Sequence, residues 1–365
     1  MARRLIEAAE RKKILVILVV LLIFLSFEKV GAYGSEKEYI TIVDSLGKEI
    51  RISYPVKKIA VHFPHILEVI KILGSEEFVV AVPDNVSRGQ WGGLYKDFVG
   101  KKAIGSGAGP RANINIEVLL ETQPKVLLTH PRTAKNLRLE ETLKPYGIPV
   151  VGLDVTTLGT LKHNIITLGK ILGRKKEAKT YWNFIEKYLS LIDERVKRVK
   201  PENKPKVYLE FFRDYYTCLR GFTGDPVTQR AGGINIAADL KVPQVSPEWV
   251  IEQDPDVIIK SQLPMYVASG LGICNPSAME KLRKEIMSRP GWNEIKAVKD
   301  GRVYILNSNL WTSPRIWLGV IYTAKILYPE RFKDIDPDAI HKKYLRKFLD
   351  IEGEGIWCWP LFRRN

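Results

Sequence analysis

Residues 175–199 read K-K-E-A-K-T-Y-W-N-F-I-E-K-Y-L-S-L-I-D-E-R-V-K-R-V. The run holds neither Pro nor Gly, and its apolar residues recur at Tyr181, Trp182, Ile185, Tyr188, Leu189, Ile192, Val196 and Val199. Spacings of three and four place them on one face of a helix. At 1.5 Å per residue this helix is roughly 37 Å long, and Pro201 and Pro205 end it. On both sides of it the pattern changes to short apolar runs alternating with helical ones. Before it, strands are expected at 58–62, 78–82, 126–129 and 148–153, with helices at 66–73, 116–122 and 137–145. After it, strands are expected at 207–212, 257–260 and 303–306, with helices at 249–253 and from Pro314 to about Leu327. Strands separated by helices predict mainly parallel sheets covered on both faces. The expected fold class is therefore α/β. Two αβ lobes, 39–157 and 206–350, are joined through a linking region, 158–200, whose rigid interlobe helix spans 175–199. Residues 351–365 are left as a C-terminal tail. An ordinary covering helix within one domain is the alternative.

A weak internal repeat supports two related lobes. Residues 117–128 read E-V-L-L-E-T-Q-P-K-V-L-L and residues 248–259 read E-W-V-I-E-Q-D-P-D-V-I-I. Glu117 and Glu248, Glu121 and Glu252, Pro124 and Pro255, and Val126 and Val257 match. Each copy is a short helix, a proline turn and a buried strand.

The chain has 365 residues, 45% apolar and 27% charged. This excludes a wholly disordered or collagen-like polymer. Arg3, Arg4, Arg11, Lys12 and Lys13 precede an uncharged run from Ile14 to Phe27, and Val30-Gly31-Ala32 follows. A basic head, a short apolar run and a small-residue site form a secretory leader over 1–32. A retained anchor is the alternative, but the run is shorter than the roughly 20 apolar residues a span needs. No cysteine lies near the site, which excludes a lipidated N-terminal cysteine. The expected location is thus the periplasmic or extracellular face of the cytoplasmic membrane. The formal charge is +16, and removal of the leader leaves +13. Export turns that charge away from nucleic acid as a partner. Three cysteines, Cys218, Cys274 and Cys358, exclude a disulfide scaffold, although one pair of them is free to bridge in an oxidising compartment.

The second half contains A-G-G-I-N-I-A-A-D-L (231–240), V-P-Q-V-S-P-E-W-V-I-E-Q-D-P-D-V-I-I (242–259) and R-P-G-W-N-E-I-K-A-V-K-D-G-R-V-Y-I-L (289–306). In this order the three stretches resemble the class III substrate-binding proteins of ABC importers. The N-terminal half agrees, and the likeness covers about residues 39–350. The resemblance implies two lobes on one long helix, with a ligand cleft between them on loops after strands, as in open α/β sheets generally. It implies a binding protein rather than an enzyme, a monomer with no intrinsic cofactor, and a permease with its ATPase as partner. It does not fix the ligand among the metal complexes that family members bind; an anionic metal chelate is expected, a ferric siderophore first, with cobalamin second and haem or molybdate/tungstate behind. An exported enzyme on a similar fold is the remote alternative. Glu117 and Glu248 match the family's two permease-docking glutamates. Both also suit the first turn of a helix, where an acid favours the positive dipole end.

Cleft candidates are the residues just after strands. In the first lobe these are His62, His65, Arg88, Trp91, Arg111, His130 and Arg132. In the second they are Arg213, Tyr215, Tyr216, Arg220, Tyr266, Trp311 and Arg315. An anionic chelate calls for guanidinium forks and aromatic faces, which Arg88 with Trp91, Arg213 with Tyr215 and Tyr216, and Trp311 with Arg315 supply. Gly105-Ser106-Gly107-Ala108-Gly109 lacks the Lys-Ser/Thr of a phosphate loop, so it reads as a cleft loop with free amides or as a plain loop. The five histidines are His62, His65, His130, His163 and His341. They show no H-E-x-x-H and no neighbouring carboxylate cluster, and no resident metal is expected.

Overall fold

The computed structural model describes residues 38–362 apart from 108 and 110. The leader expected over 1–32 lies outside them. No helix among the described residues is long and apolar enough to cross a membrane.

The chain enters through a hairpin of β1 (Glu38–Val43) and β2 (Glu49–Tyr54). Asp44 closes its turn by accepting the amides of Leu46 and Lys48 at 2.8 and 2.9 Å. The first lobe follows with β3 (Ile59–Val61), β4 (Val79–Val82), β5 (Lys102–Ala103), β6 (Val126–Thr129) and β7 (Val150–Gly152). They form one parallel sheet in the order β5-β4-β3-β6-β7. The second lobe contains β8 (Lys206–Phe211), β9 (Ile234–Asn235), β10 (Val257–Gln262), β11 (Gly270–Leu271), β12 (Val303–Asn307), β13 (Gly355–Ile356) and β14 (Cys358–Trp359). Its sheet runs β14-β12-β10-β8-β9, parallel except for β14. In both lobes the chain enters on an inner strand, β3 or β8, builds to one side, then crosses back. Each sheet thus has a reversal of strand order beside its first strand, where open α/β sheets leave a crevice.

The repeat is structural. The Ile116–Glu121 and Pro247–Gln253 helices are capped by the side chains of Asn115 and Ser246, which accept from Val118 and Trp249 amides at 3.1 and 3.2 Å. Before each proline the chain adopts a left-handed residue, Gln123 (φ 48°) and Asp254 (φ 41°). Just past it, the Lys125 and Asp256 amides donate to the carbonyls of Lys58 and Lys206 at 2.8 and 2.9 Å. An uncommon backbone state and the same strand-starting bond at corresponding positions are strong marks of a shared unit.

The interlobe helix is Lys175–Val196, three residues shorter than expected. It buries Ala178, Tyr181, Phe184, Ile185, Leu189 and Ile192, whereas the expected Trp182, Tyr188 and Val196 are half-buried at the edges of that face. The helix is not the sole tie between lobes. A Pro337–Leu349 helix, absent from the expected elements, returns from the second lobe to meet the Pro64–Ile72 helix of the first. There the Tyr344 hydroxyl donates to Glu68 Oε1 at 2.6 Å. Tyr344 also stacks on Tyr181, with ring centroids 6.1 Å apart. One apolar cluster runs unbroken from Ile66 through Tyr181 to Trp317 and Trp357.

The tail assignment for 351–365 is corrected at residues 355–359, which join the sheets of the second lobe. Cys358 and Trp359 add the antiparallel edge strand β14 to β12, while β13 pairs with β11. Trp357 and Cys358 are buried. Two-residue strands give no alternation for periodicity to register, so pairing is decided by the lobe that receives them. All three cysteines are free thiols; Cys218 and Cys358 are buried and Cys274 is exposed.

Candidate functional site

A cavity of about 520 Å³ lies between the lobes. The first lobe contributes Asn85 and Gln90–Tyr95, after β4. The second contributes Leu263–Met265 and Ser269–Leu271 after β10, Asn307 at the end of β12 and Asn309 just after it, and Arg315, Leu345 and Trp357. These are the positions at the carboxyl ends of strands that an open α/β sheet offers to a ligand.

Arg315 begins the Ile316–Leu327 helix and is 4% exposed. Its Nε stands 3.2 Å from Glu68 Oε1, a carboxylate of the other lobe that is 1% exposed. Glu68 also accepts the hydroxyls of Tyr344 at 2.6 Å and Tyr95 at 3.4 Å. The guanidinium lies over the Trp357 ring, 5.3 Å from its centre. Burial opposes its charge, but Glu68 and the tyrosines outweigh this and raise its affinity for the proton. The pair therefore joins both lobes at the wall of the cavity.

On the first-lobe side Trp91 faces the cavity, with Tyr95 edge-on to it at 5.3 Å and His65 behind it at 5.1 Å. Burial, then Arg315, push the His65 imidazole down to about 3. Phe63 lies between His65 and His130, at 5.2 and 5.0 Å. Burial also lowers His130, against the pull of Asp154 at 3.8 Å.

Among the sequence-predicted residues, Trp91 and Arg315 stand in the wall of this cavity. Arg88, Arg111, Arg132, Arg213 and Arg220 are exposed and outside it. Arg88 reaches Asp84 at 3.2 Å, and Arg220 is paired with Asp239. Tyr215 and Tyr216 are half-buried on the loop after β8. That loop is anchored from beneath: the Tyr215 amide donates to Glu210, which Arg289 grips with two bonds of 2.8 and 2.9 Å and Lys260 holds at 2.7 Å. Burial raises the Glu210 proton affinity, but Arg289 and Lys260 overcome it and hold the carboxyl below its usual range. The Tyr215 ring is covered by Arg289 at 4.6 Å. Tyr266 is exposed beside Met265 of the wall.

Trp311 is a core residue rather than a cleft residue. It has no exposed surface, stacks on Phe211 at 6.3 Å and fills the space above Gly224. The Asn309–Thr312 helix turns Leu310 and Trp311 inward and presents Asn309 to the cavity. His62 is likewise buried, its Nε2 donating to the Asn113 carbonyl at 2.8 Å. The glycine loop is explained by the same contact. A Cβ on Gly107 would lie 1.2 Å from the His62 carbonyl oxygen, and one on Gly105 would lie 2.4 Å from that of Asn113. The Gly105 and Ser106 amides already donate to Asp84 and Asn113. His163 donates to the Val43 carbonyl at 2.9 Å, and His341 packs on Trp357 at 4.0 Å. No group of three or more metal-ligating side chains occurs among the described residues.

Sequence reasoning missed Asn85, Gln90, Tyr95, Asn307, Asn309 and Trp357. Asn307 and Asn309 follow a strand as closely as the residues that were chosen, and the same rule would have found them. Glu117 and Glu248 are both exposed in the first turns of corresponding helices.

Two lobes of parallel sheet, a long helix between them and a cavity shared by their post-strand loops define a solute-binding protein of the helix-linked class. The sequence profile of the family described as periplasmic binding protein matches residues 59–310, and the chain belongs to that family. The uncharacterized ABC transporter substrate-binding lipoprotein YvrC of Bacillus subtilis is 26% identical over 302 residues, 81% of this chain and 87% of the relative. The molybdate-binding protein MolA of Haemophilus influenzae is 25% identical over 335 residues, 84% of this chain and 90% of the relative. The solved structure of the TroA-like periplasmic binding protein FepB from Veillonella parvula is similar in fold. Its TM-score is 0.76 at 21% identity, covering 88% of this chain and 99% of that one.

Proposed function

We propose that this chain is the exported solute-binding component of an ABC importer. Its solute, a metal complex, is held in the interlobe cavity and handed to a membrane permease that docks on Glu117 and Glu248. The observation that carries this reading is the cavity wall, drawn from the post-strand loops of both lobes and joined by Arg315 and Glu68. Its amides, aromatic faces and single arginine are recognition groups, and the reading assigns them no chemical step.

Thermal unfolding in the presence of ferric chelates, cyanocobalamin, haemin and oxyanions tests it. A solute at about a hundred times its Kd adds about 2.7 kcal/mol to the folded state and raises Tm by several degrees. A cognate solute should do so and should lose the effect when Trp91 and Trp357 are replaced by Ala. An unchanged Tm across the whole set contradicts the reading.

A further inference from the structure

A groove of about 370 Å³ runs along the first lobe between the Leu161–Ile171 helix and the start of the interlobe helix. Lys162, Ile166 and Lys170 line it from one helix, and Lys175, Lys179, Trp182 and Glu186 from the other. Spacings of three and four put each set on one helix face. The floor is apolar, with Ile166 and Trp182 half-buried, and the rim is cationic. Glu186 is the one acid in the wall. Lys162 takes it at 3.3 Å while standing 5.2 Å over the Trp182 ring. Lys170, Lys175 and Lys179 are exposed and have no acidic partner among the described residues. Glu177, the acid of that first helical turn, lies outside the groove. Like charges gathered in this way repel one another, and an anionic surface relieves the repulsion.

The place of the groove in the fold points to the surface that meets it. The Asp44 amide closes the first hairpin on the Lys48 carbonyl at 3.0 Å, so the start of β1 lies opposite Tyr54 at the end of β2. Tyr54 stands against Gly173, between the two helices of the groove. A Cβ on Gly173 would lie 2.7 Å from the Tyr54 hydroxyl. The chain therefore enters the lobe at the lysine-rich corner. Upstream, only residues 28–37 separate β1 from the apolar run of 14–27, which directs the chain to the membrane. Ten extended residues reach at most roughly 35 Å. For as long as that run stays on the chain, the lysines are held within this distance of a bilayer. A run too short to span holds a membrane only weakly, and a polybasic patch supplies the second signal that firm attachment needs. Lysine stems and a tryptophan ring also suit the boundary between headgroups and acyl chains.

We infer that this groove is a membrane contact whose lysines seat the phosphates of anionic lipid headgroups, holding the exported chain against the bilayer that carries its permease. This rests on the reading of the chain as an exported importer component and adds a second surface to it. The surface is not the docking one. The Asn115 amide bonds to the Ile104 carbonyl at 3.0 Å, just past β5, which puts Glu117 at the end of the lobe where the strands finish. Gly173 lies by Tyr54, which precedes β3, at the end where they begin. Lipid contact and permease docking therefore use different faces of the lobe, and lipid holds the chain while it is undocked.

Lysine acetylation by a soluble reagent, read site by site by mass spectrometry on the full chain, tests it. Two vesicle sets are compared, phosphatidylcholine alone and phosphatidylcholine with about 30% phosphatidylglycerol. Lys170, Lys175 and Lys179 should react at least about threefold more slowly on the anionic vesicles, and the difference should vanish at about 0.5 M salt. Lys241 and Lys333 of the second lobe, both exposed, should react alike on the two sets. Equal rates at the three groove lysines overturn the inference. Equal protection by inorganic pyrophosphate on neutral vesicles assigns the groove to a free phosphate and overturns it as well. Stronger protection by duplex DNA overturns it in favour of nucleic acid. The Lys170→Glu/Lys175→Glu/Lys179→Glu variant changes only exposed side chains, so Tm should hold. Its preference for anionic over neutral vesicles should fall at least about tenfold below that of the native chain. An unchanged preference places the whole attraction in the basic head of residues 3–13 and overturns the inference. Solute binding, read by Tm on the same chain, stands or falls apart from these outcomes.

Discussion

His65 shows how one residue ties the site to the stability of the chain. Its imidazole is lowered to about 3, first by burial and then by the Arg315 charge, with His130 adding to the shift and Asp154 opposing it. An unfolded histidine takes up its proton near pH 6.5. Above that pH both states are neutral and the group contributes nothing to pH dependence. As pH falls below it the unfolded chain binds a proton that the folded chain refuses, so folded-state stability is lost. The loss is about 1.4 kcal/mol per pH unit, or roughly 2 kcal/mol by pH 5. Burial shifts His62 and His341 in the same direction. The urea midpoint should therefore drop between pH 7 and pH 5, and drop less in His65→Gln. A midpoint that is flat over this range contradicts the burial of these rings. Nothing in the sequence near His65 announces this, because the Arg315 that faces it is 250 positions away.

At the scale of elements, the informative piece is the C-terminal edge. β13 and β14 are two residues each, yet they bring Trp357 to the cavity wall and cover the outer edge of β12. Deleting residues 351–365 strips this edge and removes a buried tryptophan, whose loss alone is worth about 3–5 kcal/mol. The truncated chain should unfold at clearly lower urea than the full chain and should lose solute binding. Retention of full stability would mean that β14 only rests on the sheet. Longer elements were legible beforehand. The helix expected at 175–199 is Lys175–Val196, the strand at 126–129 is Val126–Thr129, and the repeated helix–proline–strand units are present in both lobes. Each carries enough turns or enough consecutive buried residues for periodicity to register. The Leu161–Ile171, Ser277–Met287 and Pro337–Leu349 helices were not singled out. Ser277–Met287 and Pro337–Leu349 intersperse charged residues among few apolar ones, and Leu161–Ile171 is a short, mostly buried run that periodicity does not separate from a strand.

For the whole molecule, the two lobes are linked by the interlobe helix, by the return of the Pro337–Leu349 helix onto Glu68 and by the Arg315–Glu68 pair. A helix spanning both lobes resists bending more than paired flexible strands would, so solute capture should proceed with only slight closure. The docking assignment belongs to this scale too, since it needs one glutamate on each lobe. Both are exposed, so the double charge reversal Glu117→Arg/Glu248→Arg removes only a favourable helix-dipole contact, about 1 kcal/mol or less at each site. Tm and solute affinity should be nearly unchanged while uptake through the permease is abolished. Uptake that survives the double reversal would contradict docking at these residues.

The sequence by itself determined the α/β class, the long helix between two lobes, the duplicated unit and the paired surface glutamates. All of these are written in local periodicity, proline placement and a repeat that needs no partner to be read. Only the tertiary structure decided which arginine reaches the cavity, that Glu68 from the other lobe compensates it, that Trp311 belongs to the core and that Trp357 belongs to the wall. Burial and charge pairing are properties of residues brought together across some 250 positions of chain. No local pattern encodes such a meeting, because each partner by itself is compatible with a solvated loop.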